Sequence, residues 1–298
     1  MNSVEITVIL VNYKCDKKKL NQCLGSIKFN TNAIIIDHSH DFTLENVTVP
    51  KNINLEIVKN HNLGNGAGWN KGLSLSKSRY VLCLDIDTIL PKNFYEEIIL
   101  CIKKIKNFAV ILPRINNHYK GYKLFGGLLW WQYLNNKILY NIKKKDVKKN
   151  IIDEVYTGSG SIMLIDKKNT IEENIKFDEN IFLFFEENDF FHQCFKAKKK
   201  IFIMNNVRAT HLDGSINDKS NTFECFKKWH WEWSKYYFYN KHYNFFIVLL
   251  IATKNLSYFV IKLLFFSILN KEKSEIYKSR LNGMISFYLK RKSFLRLK

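Results

Sequence analysis

Asp85-Ile86-Asp87 sets two carboxylates one residue apart at the end of the apolar run Tyr80 to Leu84. Such a run reads as a buried strand, so both carboxylates emerge at the carboxyl edge of a sheet, where open α/β sheets take their ligands. Ionised carboxylates are seldom buried without a cation or hydrogen-bond partners, which makes this a place for a divalent cation and a phosphate. The alternative is that the pair caps a helix beginning after Pro91. A second acidic group is Phe177-Asp178-Glu179 followed by Glu186-Glu187-Asn188-Asp189. A carboxylate at a helix start beside a metal site can take a hydroxyl proton as general base; the plainer reading is an acidic first turn favoured by the helix dipole. His211 directly follows a strand-like run. A lone histidine is more often a surface or core residue than a ligand, yet two carboxylates and one imidazole suit Mn²⁺ or Mg²⁺ when a diphosphate completes the shell.

The fourth group is Asn62-Leu63-Gly64-Asn65-Gly66-Ala67-Gly68-Trp69-Asn70-Lys71-Gly72. Glycines at this density let a backbone approach a ligand, and a following helix start offers free amides to an anion. The spacing matches neither the dinucleotide fingerprint nor the phosphate loop that ends in Gly-Lys-Ser or Gly-Lys-Thr. A flexible turn is the alternative.

These groups need a scaffold, and the chain supplies alternating signals for one. Strand-like runs lie at Ile6 to Val11, Ala33 to Ile36, Leu55 to Val58, Tyr80 to Leu84 and Ala109 to Leu112, with helix-like stretches at Lys17 to Lys28, Trp69 to Lys77 and Phe94 to Ile105. The alternation predicts an α/β fold with a mostly parallel sheet covered on both faces. Asn116 to Asn150 is irregular and rich in aromatics, Gly and Lys, and is expected to be an insertion or lid over the site, with Trp130 and Trp131 available to stack on a sugar or simply to pack. The pattern resumes with Ser161 to Ile165, a helix beginning near Glu186 and a short strand at Ile201 to Met204.

Composition narrows the partners. Net charge is +20, from 47 Lys and Arg against 27 Asp and Glu, so the chain should be drawn to polyanions, whether nucleic acid, anionic lipid or phosphorylated substrates. Six cysteines are scattered without zinc spacing and read as reduced residues of a reducing compartment. No leader-like segment opens the chain, which predicts a cytoplasmic protein. From Glu224 to Lys298 there are 15 Lys and Arg against 4 Glu, beside a cluster of Trp and Tyr. The expected division is therefore 1–223 as a catalytic domain and 224–298 as a basic, aromatic helical extension. Its most apolar segment, Tyr243 to Leu269, is interrupted by Lys254 and Lys262, so the expectation is a tail that lies on an anionic membrane with its rings at headgroup depth, or else packs on the core or forms a dimer contact.

In this order the segments resemble the family 2 glycosyltransferases, particularly the rhamnosyltransferase-like and galactofuranosyltransferase-like bacterial members, over roughly Val4 to Gly214. The resemblance is carried by Val8-Ile9-Leu10-Val11-Asn12-Tyr13, Ile36-Asp37-His38-Ser39, the Asn62 to Gly72 segment, Asp85-Ile86-Asp87, Gly158 to Ile165, the two acidic groups and His211. It implies a GT-A (Rossmann-like) fold and inverting, metal-dependent transfer from a nucleotide-diphosphate sugar to a hydroxyl of a glycan or glycolipid, as in surface polysaccharide or lipooligosaccharide synthesis at the inner face of the cell membrane. By that analogy Asn12, Asp37, Asn62, Gly64, Gly66, Asn70 and Asp85 line the donor pocket, and Asp85, Asp87 and His211 hold Mn²⁺ or Mg²⁺. Glu187, with Glu186 as its rival, stands where the family places an aspartate base, and Asp189 falls with Trp130 and Trp131 on the acceptor side. His38 stands where the family usually has Asn. Two other classes stay open on residues alone: a basic nucleic-acid-binding protein, which the paired carboxylates argue against, and a catalytically silent sugar-nucleotide or membrane-binding module.

Overall fold

The apolar runs become the strands of one mixed sheet in the computed structural model, which describes residues 5–105, 107–116, 151–212, 214, 216, 218, 220–293 and 295–296. The strands are β1 (Ile6–Asn12), β2 (Thr31–Asp37), β3 (Ile53–Lys59), β4 (Tyr80–Leu84), β5 (Thr88–Ile89), β6 (Val110–Asn116), β7 (Ile152–Val155), β8 (Ile162–Asp166) and β9 (Ile201–His211). The helices are α1 (Lys17–Ser26), α2 (Asn65–Leu75), α3 (Phe94–Lys104), α4 (Glu186–Lys196), α5 (Asn221–His242), α6 (Phe245–Leu269) and α7 (Lys271–Tyr288). Strand order is β3-β2-β1-β4-β8-β6-β9-β5, with β7 also pairing β9. Strands β3, β2, β1, β4, β6 and β9 run one way and β8, β5 and β7 run against them, so the expected α/β sheet is present and mostly parallel.

By contact the described residues divide into two units, the first comprising Met1–Phe177 with Phe190–Asn217 and the second Asp178–Asp189 with Asp218–Lys298. In the first, side-chain alternation along β1 builds two cores. Val8 and Leu10 join Leu20, Leu24, Phe94 and Ile98 on one face, while Ile9 joins Trp69, Leu73, Phe190 and Phe191 on the other. Helices thus cover both faces, as a largely parallel sheet requires. Four of the six cysteines are buried in the described structure, and burial pushes the Cys101 thiol up to about 11, which keeps it a protonated core side chain.

Two boundaries differ from expectation. Helix α2 begins at Asn65 instead of Trp69, so most of the glycine-rich segment is helical. A Cβ on Gly68 would lie 2.7 Å from a Val11 methyl, and one on Gly72 would lie 2.5 Å from an Ile9 methyl. Spaced four residues apart, these glycines share a helix face and let α2 sit tightly on β1; only Gly64, with φ of 104°, uses glycine's freedom at the cap. Strand β9 runs on past Met204 to His211, because β6 continues beside it through a register shift at Pro113/Arg114 and β5 pairs with its last residues.

In the second unit α5, α6 and α7 pack around Tyr236, Val248, Ala252, Phe259 and Met284. Glu232 is fully buried there, held by Arg280 Nη1 at 3.0 Å and by Lys235. The tryptophans expected at headgroup depth are mostly internal: Trp229 and Trp233 are buried and only Trp231 is exposed. Their indole N–H groups donate to Asn282 and to the Arg291 carbonyl, which explains the burial, since a buried indole needs an acceptor. A Cβ at Gly283 would fall on the Trp229 carbonyl oxygen. Gly283→Ala is therefore expected to pry α5 from α7 and lower stability by about 2 kcal/mol or more, read by urea denaturation followed at the tryptophans.

Candidate metal and donor site

Strand β4 ends at Leu84 and the chain leaves the sheet as a turn, with the Thr88 N–H donating to the Asp85 carbonyl at 3.0 Å and the Asp85 N–H donating to the Ser161 carbonyl at 2.8 Å. Strand β5 then pairs Thr88 with His211, and the Leu212 N–H donates to the Asp87 carbonyl at 2.8 Å. This pairing brings the imidazole, more than a hundred residues away in sequence, onto the two carboxylates. His211 Nε2 lies 3.1 Å from Asp87 Oδ1 and 3.7 Å from Asp85 Oδ2. One ligand atom from each of the three residues lies within 4.8 Å of the others, the only such group among the described residues. Asp87 is 2% exposed and its Oδ2 is buried without a hydrogen-bond partner. A buried, unsatisfied carboxylate oxygen is costly unless a cation meets it. The oxygen and imidazole donors fit Mg²⁺ or Mn²⁺, with positions left for phosphate oxygens.

A second polar group sits at the ends of β1 and β2, which pair Asn12 with Asp37. The Asp37 side chain is buried, and its Oδ1 accepts from Asn12 Nδ2 at 2.7 Å, Ser39 Oγ at 2.6 Å and the Ser39 N–H at 3.0 Å. Burial works to raise its pKa, but these hydrogen bonds outweigh it and hold the carboxyl below the ordinary aspartate range. Asp37 is thus a fixed anion, and Asn12 is the residue that orients it. Burial also drives His38 down to about 4, partly countered by Asp37, so its ring is neutral near pH 7. Asn60 Nδ2 lies 3.4 Å from His38 Nε2.

In the expected donor segment, Asn62 Oδ1 accepts from the Gly64 N–H at 3.3 Å, and Gly64 and Gly66 are buried at the start of α2. Asn70, also expected in the donor pocket, spends its amide on the backbone of Phe177, donating to the carbonyl at 2.9 Å and accepting from the N–H at 3.1 Å. It ties α2 to the segment that precedes the acidic residues. Trp130 and Trp131 lie outside the described residues.

Glu186, Glu187 and Asp189 belong to the second unit. Just before them Phe184 and Phe185 take φ values of 64° and 68°, a left-handed pair that is strained for bulky side chains. Both rings pack edge-on against Trp231, and Phe185 also meets Phe238 and Tyr239. The aromatic cluster of α5 therefore fixes where α4 begins. Glu187 is half-buried with Asn188 Nδ2 3.2 Å from Oε1, and burial raises its carboxyl above the usual glutamate range against the pull of the backbone N–H groups of Glu187 and Asn188. Asp189 is fully buried and ion-paired: His242 Nε2 lies 2.6 Å and Lys241 Nζ 2.9 Å from its Oδ1. Lys241 also bridges to Asp178 at 2.7 Å, and the Tyr237 hydroxyl donates to Asp178 at 3.0 Å. An acceptor-side role had been expected for Asp189; its geometry is that of a clasp between α4 and α5. Lys241 and His242 had no signal in the sequence, since nothing local links them to residues more than fifty positions earlier.

The chain resembles known proteins in sequence and in fold. A family model described as glycosyl transferase family 2 matches residues 7–202. An uncharacterized glycosyltransferase of Methanocaldococcus jannaschii is 25% identical over 246 residues, covering 76% of each chain. Among solved structures, S. aureus TarS 1-349 in complex with UDP-GlcNAc superposes with a TM-score of 0.55 at 13% identity, covering 96% of this chain and 92% of that one. Its complex with UDP gives 0.51 at 14% identity, covering 99% and 94%. At these identities the structural likeness speaks for the fold.

Proposed function

Since the chain belongs to glycosyl transferase family 2, we propose that it moves a sugar, with inversion, from a nucleotide-diphosphate sugar to a hydroxyl of a glycan or lipid-linked glycan in surface polysaccharide or lipooligosaccharide synthesis. The convergence of Asp85, Asp87 and His211 around a buried oxygen that lacks a partner is the observation that carries this reading. These three residues would hold Mn²⁺ or Mg²⁺. A bound divalent cation there neutralises the charge that grows on the departing diphosphate. The nucleotide and sugar of the TarS complexes support a donor of this class.

The rest of the chemistry falls to the chain's own groups. Asp37, kept anionic and oriented by Asn12 and Ser39, is suited to accept hydrogen bonds from the nucleoside. Neutral His38 can stand in for the family's usual Asn because neither places a charge beside that nucleoside. Asn62, Gly64 and Gly66 present the backbone at the start of α2, where the positive end of the helix dipole favours an anionic donor. Glu187 takes the acceptor's proton as the acceptor oxygen bonds to the anomeric carbon and the bond from that carbon to the diphosphate oxygen breaks. A single displacement of this kind leaves the configuration inverted. Trp130 and Trp131 are proposed to cover the sugar, and the residues after Phe223 to attach the protein peripherally to the cytoplasmic face of an anionic membrane.

Purified protein screened against nucleotide sugars by thermal shift, with and without Mn²⁺, tests the donor assignment. Stabilisation by one donor that needs the metal is expected, whereas stabilisation by none would sink the reading. The raised carboxyl of Glu187 adds a pH signature. A base works deprotonated, so kcat/KM should rise with pH through a midpoint above the ordinary glutamate value of 4.5, and Glu187→Gln should remove that limb.

A further inference from the structure

Resting on the membrane attachment just proposed, we infer that α6 is the attaching element and that it lies flat in an anionic leaflet, embedded along its length without crossing. Helix α6 is 25 residues long and apolar enough to cross a bilayer, yet little of it is buried in the structure. One stripe, marked by Val248, Ala252 and Phe259, packs inward. The rest faces outward, with Phe246 71%, Leu250 73% and Ile268 87% exposed, and Ile261, Leu264 and Leu269 all exposed. An apolar face of this extent, broken near its middle by the exposed Thr253, Lys254 and Ser257, marks an interaction surface.

Three features favour lipid as its occupant. The Thr253, Ser257 and Ser267 hydroxyls donate to the carbonyls of Leu249, Thr253 and Leu264, so these polar groups on the exposed helix make no demand on water. Lys262 Nζ lies 5.8 Å and 5.6 Å from the ring centres of Phe265 and Phe266, and Lys273 Nζ lies 5.1 Å from that of Phe266, so basic heads rim the apolar surface with their stems along it. The residues from Glu224 to Lys298 carry 15 Lys and Arg against 4 Glu, the charge that anionic headgroups attract.

The orientation follows from the partner helix. Tyr277 of α7 stacks on Phe266, its hydroxyl lies 3.4 Å from that of Tyr258, and Arg280 of α7 lies over Phe259 at 5.6 Å. Helix α7 carries Lys271, Glu272, Lys273, Glu275, Lys278 and Arg280. If α6 crossed the hydrocarbon, this packing would drag those charges in with it. Lys254, close to the midpoint of α6, would be stranded there as well. Lying flat, α6 sinks its outer face to the acyl boundary and leaves α7 in water.

Vesicles of phosphatidylglycerol and phosphatidylcholine, compared with phosphatidylcholine alone, test this on the full chain. Sedimentation should show preference for the anionic vesicles, reduced about fivefold by each of Lys254→Gln and Lys262→Gln. Leu250→Glu with Leu264→Glu should cut binding at least a hundredfold while metal-dependent stabilisation by the donor persists. Orientation is read separately by quenching depth of a fluorophore at Phe246→Cys, Ser257→Cys or Ile268→Cys, with Cys15 and Cys225 replaced by Ser. Equal depths are expected; a deep centre with shallow ends would mean a spanning helix and overturn the inference. No vesicle binding, with self-association that Leu250→Glu abolishes, would assign the face to a second copy instead. Vesicle binding without donor stabilisation would overturn the proposed function and leave the flat helix standing.

Discussion

Asp87→Ala is expected to abolish sugar transfer together with Mn²⁺-dependent donor binding, while the protein stays folded. Asp87 is the innermost of the three candidate ligands, with one oxygen against His211 and the other buried without a partner. Removing it takes away the ligand with the least solvent around it, so the cation loses its anchor. Stability in the absence of metal should change by no more than about 1 kcal/mol, because the deleted group is a poorly satisfied buried anion whose loss relieves a desolvation cost. Asp85→Ala and His211→Ala should weaken transfer and metal-dependent donor binding less completely, since both side chains are partly open to water. Turnover, and the thermal shift given by donor with Mn²⁺, are the measurements. Unchanged turnover in Asp87→Ala would end the metal assignment.

Glu187→Gln should behave differently. The amide keeps the shape of the carboxyl and lacks its basic lone pair, so donor affinity is expected to survive while transfer falls by about 10² or more. The strained Phe184-Phe185 pair and the Trp231 contacts that fix the start of α4 do not involve the Glu187 carboxylate, so its loss should leave the backbone in place. Glu186→Gln is the control. If that variant loses transfer with donor binding intact and Glu187→Gln does not, the base lies one residue earlier. Equal loss of donor binding in both would make the acidic pair structural or metal-linked.

Much of the first unit was legible along the chain because its signals are local. Runs such as Ile6 to Val11 and Tyr80 to Leu84, short and apolar, read as strands of a covered sheet, and Asp85-Ile86-Asp87 follows the end of one. The glycine-rich segment was legible as a special place but not in its physics. Gly68 and Gly72 are there for Val11 and Ile9 on a strand more than fifty residues earlier, a contact with no local trace. The tail misled in the same way. Trp229, Trp233 and Tyr236 look from composition like residues for a membrane interface, yet they are interior residues of a helical unit, and the outward face belongs to α6.

What the sequence by itself determined is therefore the inventory and its order: carboxylates at a strand end, an acidic helix start, a late histidine, a basic and apolar tail and the family they indicate. Those follow from backbone periodicity and solvation, which act over a few residues. Only the tertiary structure decided which of these groups meet. The two-residue strand β5 sets His211 against Asp87. Lys241 and His242 close on Asp189, fixing it as a clasp instead of a free acid. Pairings of this kind depend on strand register and helix packing between distant segments, where one residue of slip would exchange the buried and exposed faces, and no window of sequence contains both partners.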